Sequence, residues 1–149
     1  MLALFSITGA RGKEKTARGL LKRTGAGYAR GMSDLADHAP GLHLIVDLYG
    51  ARGLDDAAFL ETALRDAAGA AGATVLAGHL HHFGEGHGVT GVLLLAESHI
   101  SIHTWPETGY AAVDIFLCGR SDAHLAADHL RAILRPKRVE ITEILRGQG

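Results

Sequence analysis

The spacing of apolar residues changes several times along the chain, and each change marks an element. Residues 42–49, LHLIVDLY, are dominated by apolar side chains and closed by Gly50, which reads as a strand. Asp55 or Asp56 then stands where a helix N-cap is wanted. Phe59, Leu60, Ala63, Leu64 and Ala67 follow at helical spacing, predicting a helix to about Ala68 that lays one stripe on a sheet. Gly69 and Gly72 break that pattern, and residues 73–79 and 89–96 read as the next two strands, joined through His81-His82-Phe83-Gly84-Glu85-Gly86-His87-Gly88. From Glu97 the period becomes two: Ile100 and Ile102 fall on one face of a strand, Ser101 and His103 on the other. A turn at Trp105-Pro106-Glu107-Thr108-Gly109 separates it from a strand at 111–116. Ser121 or Asp122 caps a second helix, with Leu125, Leu130, Ile133 and Leu134 at helical spacing until Pro136 stops it, and residues 138–145 form a last strand. Two helices set against a mostly antiparallel sheet predict an α+β fold, a two-layer sandwich with both helices on one face.

The first 40 residues follow no such rule. Between Thr8 and Arg30 lie five Gly and seven Lys/Arg with little apolar periodicity, so residues 1–40 are read as a basic, disordered N-terminal extension and residues 41–149 as one folded domain. Met32 stands just ahead of the regular pattern, where a start would leave that domain whole. The net charge of −1 hides an asymmetry: residues 1–40 hold seven Lys/Arg and three Asp/Glu, the remainder eight and thirteen. No nucleic-acid partner is expected of the domain, and a polyanion could be met only by the extension. A single Cys excludes an intrachain disulfide and, with no Cys-His zinc pattern, points to a reducing, cytoplasmic setting. No apolar run approaches the roughly 20 residues that would span a membrane, so a soluble protein with no membrane partner is expected.

Candidate chemistry concentrates in the stretch from Glu97 to Gly119, which holds the chain's one Trp and one Cys. The hydroxyl of Ser98 stands next to the Glu97 carbonyl and could attack it if the backbone at that junction is strained into a near-attack geometry. His103 is the candidate base, since imidazole titrates near working pH. An isolated Ser and His on a strand would ordinarily do no more than hydrogen-bond to neighbours, and a lone Cys118 would ordinarily be a small buried hydrophobe. His79 and His81 are spaced as a His-x-His pair, with His82 and His87 nearby, but no carboxylate joins them at a convincing spacing, so no metal is expected.

What reverses the ordinary reading is the whole run Glu97-Ser98-His99-Ile100-Ser101-Ile102-His103-Thr104-Trp105-Pro106-Glu107, with Ala111-Ala112-Val113-Asp114-Ile115-Phe116 and Cys118-Gly119 behind it. It resembles the short prokaryotic S-adenosylmethionine decarboxylase proenzymes, and the resemblance extends from about Leu42 to Gly147. The resemblance implies self-cleavage between Glu97 and Ser98, with Ser98 becoming a pyruvoyl group that serves as a built-in cofactor. It gives His103 and Thr90 roles in maturation, and Cys118, 20 residues after Ser98, the role of proton donor in decarboxylation. It assigns Phe83, Ile100, Trp105 and Glu107 to the substrate S-adenosylmethionine, with Phe83 stacking on adenine and Glu107 accepting from the ribose hydroxyls. It further implies a homodimer of cleaved protomers that supplies the aminopropyl donor for spermidine. Two alternatives stand beside it: the same scaffold decarboxylating arginine or ornithine, and a non-cleaving regulatory subunit. Retention of Ser98, His103 and Cys118 together argues against the second.

Overall fold

Apolar side chains at every second position can be buried on one side of a sheet only, and four strands of this chain obey that rule closely. The computed structural model describes residues 41–147. Their elements run β1 (Gly41–Tyr49), α1 (Ala57–Ala70), β2 (Val75–His82), β3 (Val89–Leu95), β4 (Ser98–Trp105), β5 (Tyr110–Leu117), α2 (Ala123–Leu134) and β6 (Arg138–Arg146). All six strands join one sheet in the order β2-β3-β4-β5-β1-β6. Every neighbouring pair is antiparallel. The alternation is clean in β3, β4, β5 and β1, the four inner strands, and lost in β2 and β6, which are edges and largely exposed. The expectation for residues 1–40 lies outside the described residues.

One face of the sheet is covered. Leu44, Val46 and Leu48 of β1, Leu93 of β3, Ile100 and Ile102 of β4, and Val113, Ile115 and Leu117 of β5 meet Leu60, Ala63, Leu64 and Ala67 of α1 and Ala126, Leu130 and Leu134 of α2. Each fully buried Leu or Ile of this kind contributes about 1.5–3 kcal/mol. Both helices start where their caps predict. Asp56 accepts from the Phe59 N–H at 2.9 Å, and Asp122 from the N–H groups of His124 and Leu125 at 2.9 and 3.3 Å. Leu125 departs from the expected stripe: it is 49% exposed, and Ala123, Ala126 and Ala127 take its place against α1. Strand β2 also runs further than its pattern suggested, taking in His81 and His82, which pair with Thr90 and Val89.

Thr104 is a buried polar residue on the covered face, and it is satisfied. Its hydroxyl donates to the Leu54 carbonyl at 2.6 Å and accepts from the Val89 N–H at 2.7 Å, tying the end of β4 to β3 and to the loop after β1. The opposite face of the sheet, which carries His43, Asp47, Thr90, His99, Ser101, His103, Tyr110 and Asp114, is covered by no described element.

Candidate active site

Strand β4 carries expected site residues at both of its ends. At its start, Ala96 and Glu97 form the two-residue connection from β3, whose last pair is Leu95 with Ser98. Glu97 holds φ at +59°, the left-handed region where a β-carbon costs about 1–2 kcal/mol and glycine is usual. Glu97 was expected to open the strand; it lies in the turn instead, and the strand starts at Ser98. Ser98 Oγ accepts a hydrogen bond from the Cys118 N–H at 3.0 Å, so residues 20 apart in sequence converge just beyond the end of β5. Because the hydroxyl accepts here, its own proton remains available to a base. The Cys118 thiol fits against a missing side chain: a β-carbon at Gly41 would stand 3.0 Å from Sγ and 2.5 Å from the Phe116 ring.

The other end of β4 gathers a second set. Register places Thr90 opposite His103, and Thr90 Oγ1 lies 2.8 Å from His103 Nδ1. Trp105 closes the strand and is 42% exposed, Glu107 is exposed in the following turn, and Phe83 projects from the β2–β3 loop edge-on to His81 at 4.8 Å. Five residues separate Ser98 from His103, about 16 Å along an extended strand. Within one chain, therefore, the Ser98–Cys118 pair and the Thr90–His103 pair do not meet. Ile100 needs a correction. Expected at the substrate, it is instead fully buried on the covered face between Leu93 and Ile115, so its side chain presents no surface to a ligand.

Between the two ends the open face carries polar contacts that sequence reasoning did not find. Asp114 Oδ2 accepts from Ser101 Oγ at 3.4 Å, and Asp114 Oδ1 lies 3.3 Å from His43 Nε2. Arg146 approaches His43 Nδ1 at 3.4 Å; a guanidinium only donates, so Nδ1 accepts and Nε2 carries the proton given to Asp114. The rings of His43, His99 and Phe116 pack together with centroids 5.7–6.2 Å apart. Near the His103 end, the Tyr110 hydroxyl donates to Asp47 Oδ1 at 2.5 Å. That bond first, then burial, then the charge of Asp47 push the Tyr110 phenol up to about 12. Period two puts Asp47 with His43, and Asp114 with Tyr110, on one face of their strands, but only the β5-β1 adjacency brings the pairs together. Among the described residues no three His, Cys, Asp or Glu side chains lie close enough to hold a metal ion.

Residues 42–147, which hold the antiparallel sandwich, the left-handed Glu97-Ser98 junction and Cys118, match the family model for S-adenosylmethionine decarboxylase. The chain belongs to that family. It is similar to proteins named S-adenosylmethionine decarboxylase proenzyme from Synechococcus sp. (52% identical over 109 residues, 71% of this chain and 84% of the relative) and Thermomicrobium roseum (44% over 108 residues, 72% and 93%). A third, from Methanococcus maripaludis, is 46% identical over 110 residues, 72% of this chain and 89% of the relative. The crystal structure of the adenosylmethionine decarboxylase from Aquifex aeolicus superposes with a TM-score of 0.68 at 40% identity, covering 74% of this chain and 93% of that one. The family read from residues 97–119 and the fold class read from periodicity are both borne out.

Proposed function

We propose that the chain is a proenzyme that cuts itself between Glu97 and Ser98 and then decarboxylates S-adenosylmethionine with a pyruvoyl group made from Ser98. The observation that carries this reading is the junction itself: a residue with a β-carbon held at φ +59° immediately before a serine whose hydroxyl is fixed by the Cys118 N–H. Strain of that kind is relieved when the peptide bond is broken.

The Ser98 Oγ attacks the Glu97 carbonyl carbon, the C–N bond breaks as an ester forms, and the Ser98 amine is released. A base removes the Ser98 α-proton, and the Glu97 carboxylate leaves as a Cα=Cβ bond forms. Uptake of water with loss of ammonia then leaves the pyruvoyl start of residues 98–149. Once formed, that group supplies the electron sink that ordinary side chains lack. Cys118 delivers a proton to the substrate's former α-carbon, Glu107 accepts from the ribose hydroxyls, and Phe83 and Trp105 offer aromatic faces to the base. The reaction yields an aminopropyl donor for spermidine synthesis in the cytoplasm.

Since His103 lies about 16 Å from Ser98 along its own strand, the base comes from a second copy. The open face carries Ile45, Leu94, Trp105 and Ile144, each at least a third exposed, and an antiparallel homodimer packed through it would bring Thr90 and His103 of one protomer to Ser98 and Cys118 of the other.

The test is cleavage. The parent chain should run as fragments 1–97 and 98–149, and Ser98→Ala and His103→Ala should each stay whole or, for His103→Ala, stop at a hydroxylamine-sensitive ester. Co-expressing the two variants should restore cleavage in the His103→Ala chain, because one of the two sites in the mixed dimer is complete. Cleavage of Ser98→Ala would end the reading, and failure of complementation would end its two-chain form. Release of CO2 from S-adenosylmethionine, arginine and ornithine in parallel identifies the substrate.

A further inference from the structure

Four strands end side by side on the open face, and their end residues make one continuous stack. Register sets Trp105 opposite Tyr110, Tyr110 opposite Tyr49, and Tyr49 opposite Arg138. The Trp105 and Tyr110 rings lie 5.2 Å apart at 26°, those of Tyr110 and Tyr49 5.3 Å apart at 32°, and the Arg138 guanidinium sits 3.7 Å over the Tyr49 ring. Flat groups at these separations attract one another beyond the area they bury, and a cation on the outer ring adds to that.

Tyr110 is the fixed member of the row. Rings stand on both its sides, and its hydroxyl is bound at 2.5 Å to Asp47 on the neighbouring strand. The bond is charge-assisted, and a phenol that titrates near 12 keeps its proton throughout the working range. Trp105 is the open end. Continuing the β3–β4 register by two residues brings Gly88 opposite it, where a β-carbon would stand 1.8 Å from the Thr104 carbonyl oxygen, so no side chain can fill that place. Beyond Trp105 the turn is held mainly through backbone: Thr108 and Gly109 donate to the carbonyls of Trp105 and Pro106, and Ala51 donates to Gly109. The turn thus leaves the open face at Trp105 and returns to it at Tyr110, the two rings stacked across its base.

We infer that Asp47 and Tyr110 are positioning residues for substrate binding, fixing the Trp105 ring and through it the Glu107 carboxylate. The inference rests on the proposed contacts of Trp105 and Glu107 with the substrate. Asp47 and Tyr110 hydrogen-bond to each other, whereas His103 pairs with Thr90 and Ser98 with Cys118, so their loss should weaken binding and spare chemistry.

Trp105 is the chain's one tryptophan, so the emission of the cleaved, full-length enzyme reports this stack alone. Tyr110→Phe keeps the ring and removes the hydroxyl; Asp47→Asn keeps the shape and removes the charge. Each should raise KM for S-adenosylmethionine about threefold to tenfold with kcat within about twofold, and the double variant should be little worse than either single one. Tyr110→Leu should make Trp105 more accessible to acrylamide quenching and raise KM further. If Tyr110→Leu does not fold, the two shape-conserving variants carry the test. Glu107→Gln separates the two levels: should it raise KM while the Asp47 and Tyr110 variants leave KM unchanged, the positioning role is wrong and the substrate contacts stand. Should Glu107→Gln itself leave KM unchanged, the substrate contacts are wrong and the positioning role falls with them. Quenching that changes without KM would reduce the stack to a structural feature.

Discussion

The covered and open faces of the sheet are built from the same strands, alternate residue by alternate residue, yet they obey different constraints. On the covered face nearly every side chain is Leu, Ile, Val or Ala, and what matters is volume and fit against α1 and α2. On the open face stand His43, Asp47, Thr90, Ser101, His103, Tyr110 and Asp114, which must each find a partner of the right chemistry at a hydrogen-bond distance. A substitution should therefore reveal its face by what it spares. Covered-face changes should lower stability and spare the chemistry of whatever folds, whereas changes in the residues turned away from the core should spare the fold and lower activity.

Cys118→Ala is the sharpest test of the second half. Its fold should be intact and its cleavage normal, since the proposed maturation uses Ser98 and a base but no thiol. Decarboxylation should fall by about 10²–10⁴-fold, the usual worth of a positioned general acid. A variant that turns over like the parent would leave Cys118 as a packing residue beside Gly41 only.

Ile100→Ala tests the first half and the corrected place of Ile100 together. Deleting a fully buried aliphatic chain between Leu93 and Ile115 should destabilise the domain by about 2–5 kcal/mol in denaturant unfolding, while KM of the cleaved enzyme stays within about twofold. A raised KM with unchanged stability would return Ile100 to the substrate site.

The same contrast explains what could be read from the sequence. Period two in residues 100–104 and the helical stripe of Leu60, Ala63, Leu64 and Ala67 are local signals, legible because a buried face repeats over a few residues. Strand order is not local. Asp47 and Tyr110 are 63 residues apart and Ser98 and Cys118 are 20 apart, and nothing in either segment announces the partner. The second pair was reached through resemblance to a family, the first only through the sheet. The exposure of Leu125 was missed because small alanines at 123, 126 and 127 let α1 and α2 approach, and helical spacing alone does not weigh alanine against leucine.

Glu97 belongs to neither face. It sits at the turn where backbone geometry replaces side-chain chemistry, and its φ of +59° stores about 1–2 kcal/mol that glycine would not. Glu97→Gly should leave the precursor's unfolding midpoint unchanged or slightly raised, because the relief of strain is partly offset by glycine's greater chain entropy. Cleavage should slow by up to about fivefold to thirtyfold, the rate equivalent of the strain removed. Cleavage at the parent's rate would mean that the strain does not reach the transition state.

The smallest expected effect concerns Tyr110, and it asks whether the open face is ordered in solution as its hydrogen bonds imply. In the folded domain the phenol is raised from 10.0 to about 12, chiefly by donating to Asp47, whereas in the unfolded chain it ionises near 10. The folded state thus favours the neutral form. That contribution is present in full below pH 10 and is lost as pH rises through about 12. Other alkaline titrations act on parent and variant alike, so the informative quantity is the difference in unfolding free energy between the parent and Tyr110→Phe. It should be constant from about pH 8 to pH 10 and shrink above that, because only the parent has a hydroxyl to ionise. Tyr110 is partly exposed, and solvent screening keeps the effect small. A difference that stays constant to pH 12 would mean that the Tyr110–Asp47 bond is not held in solution, and that the open face tolerates looser pairing than the covered face beneath it.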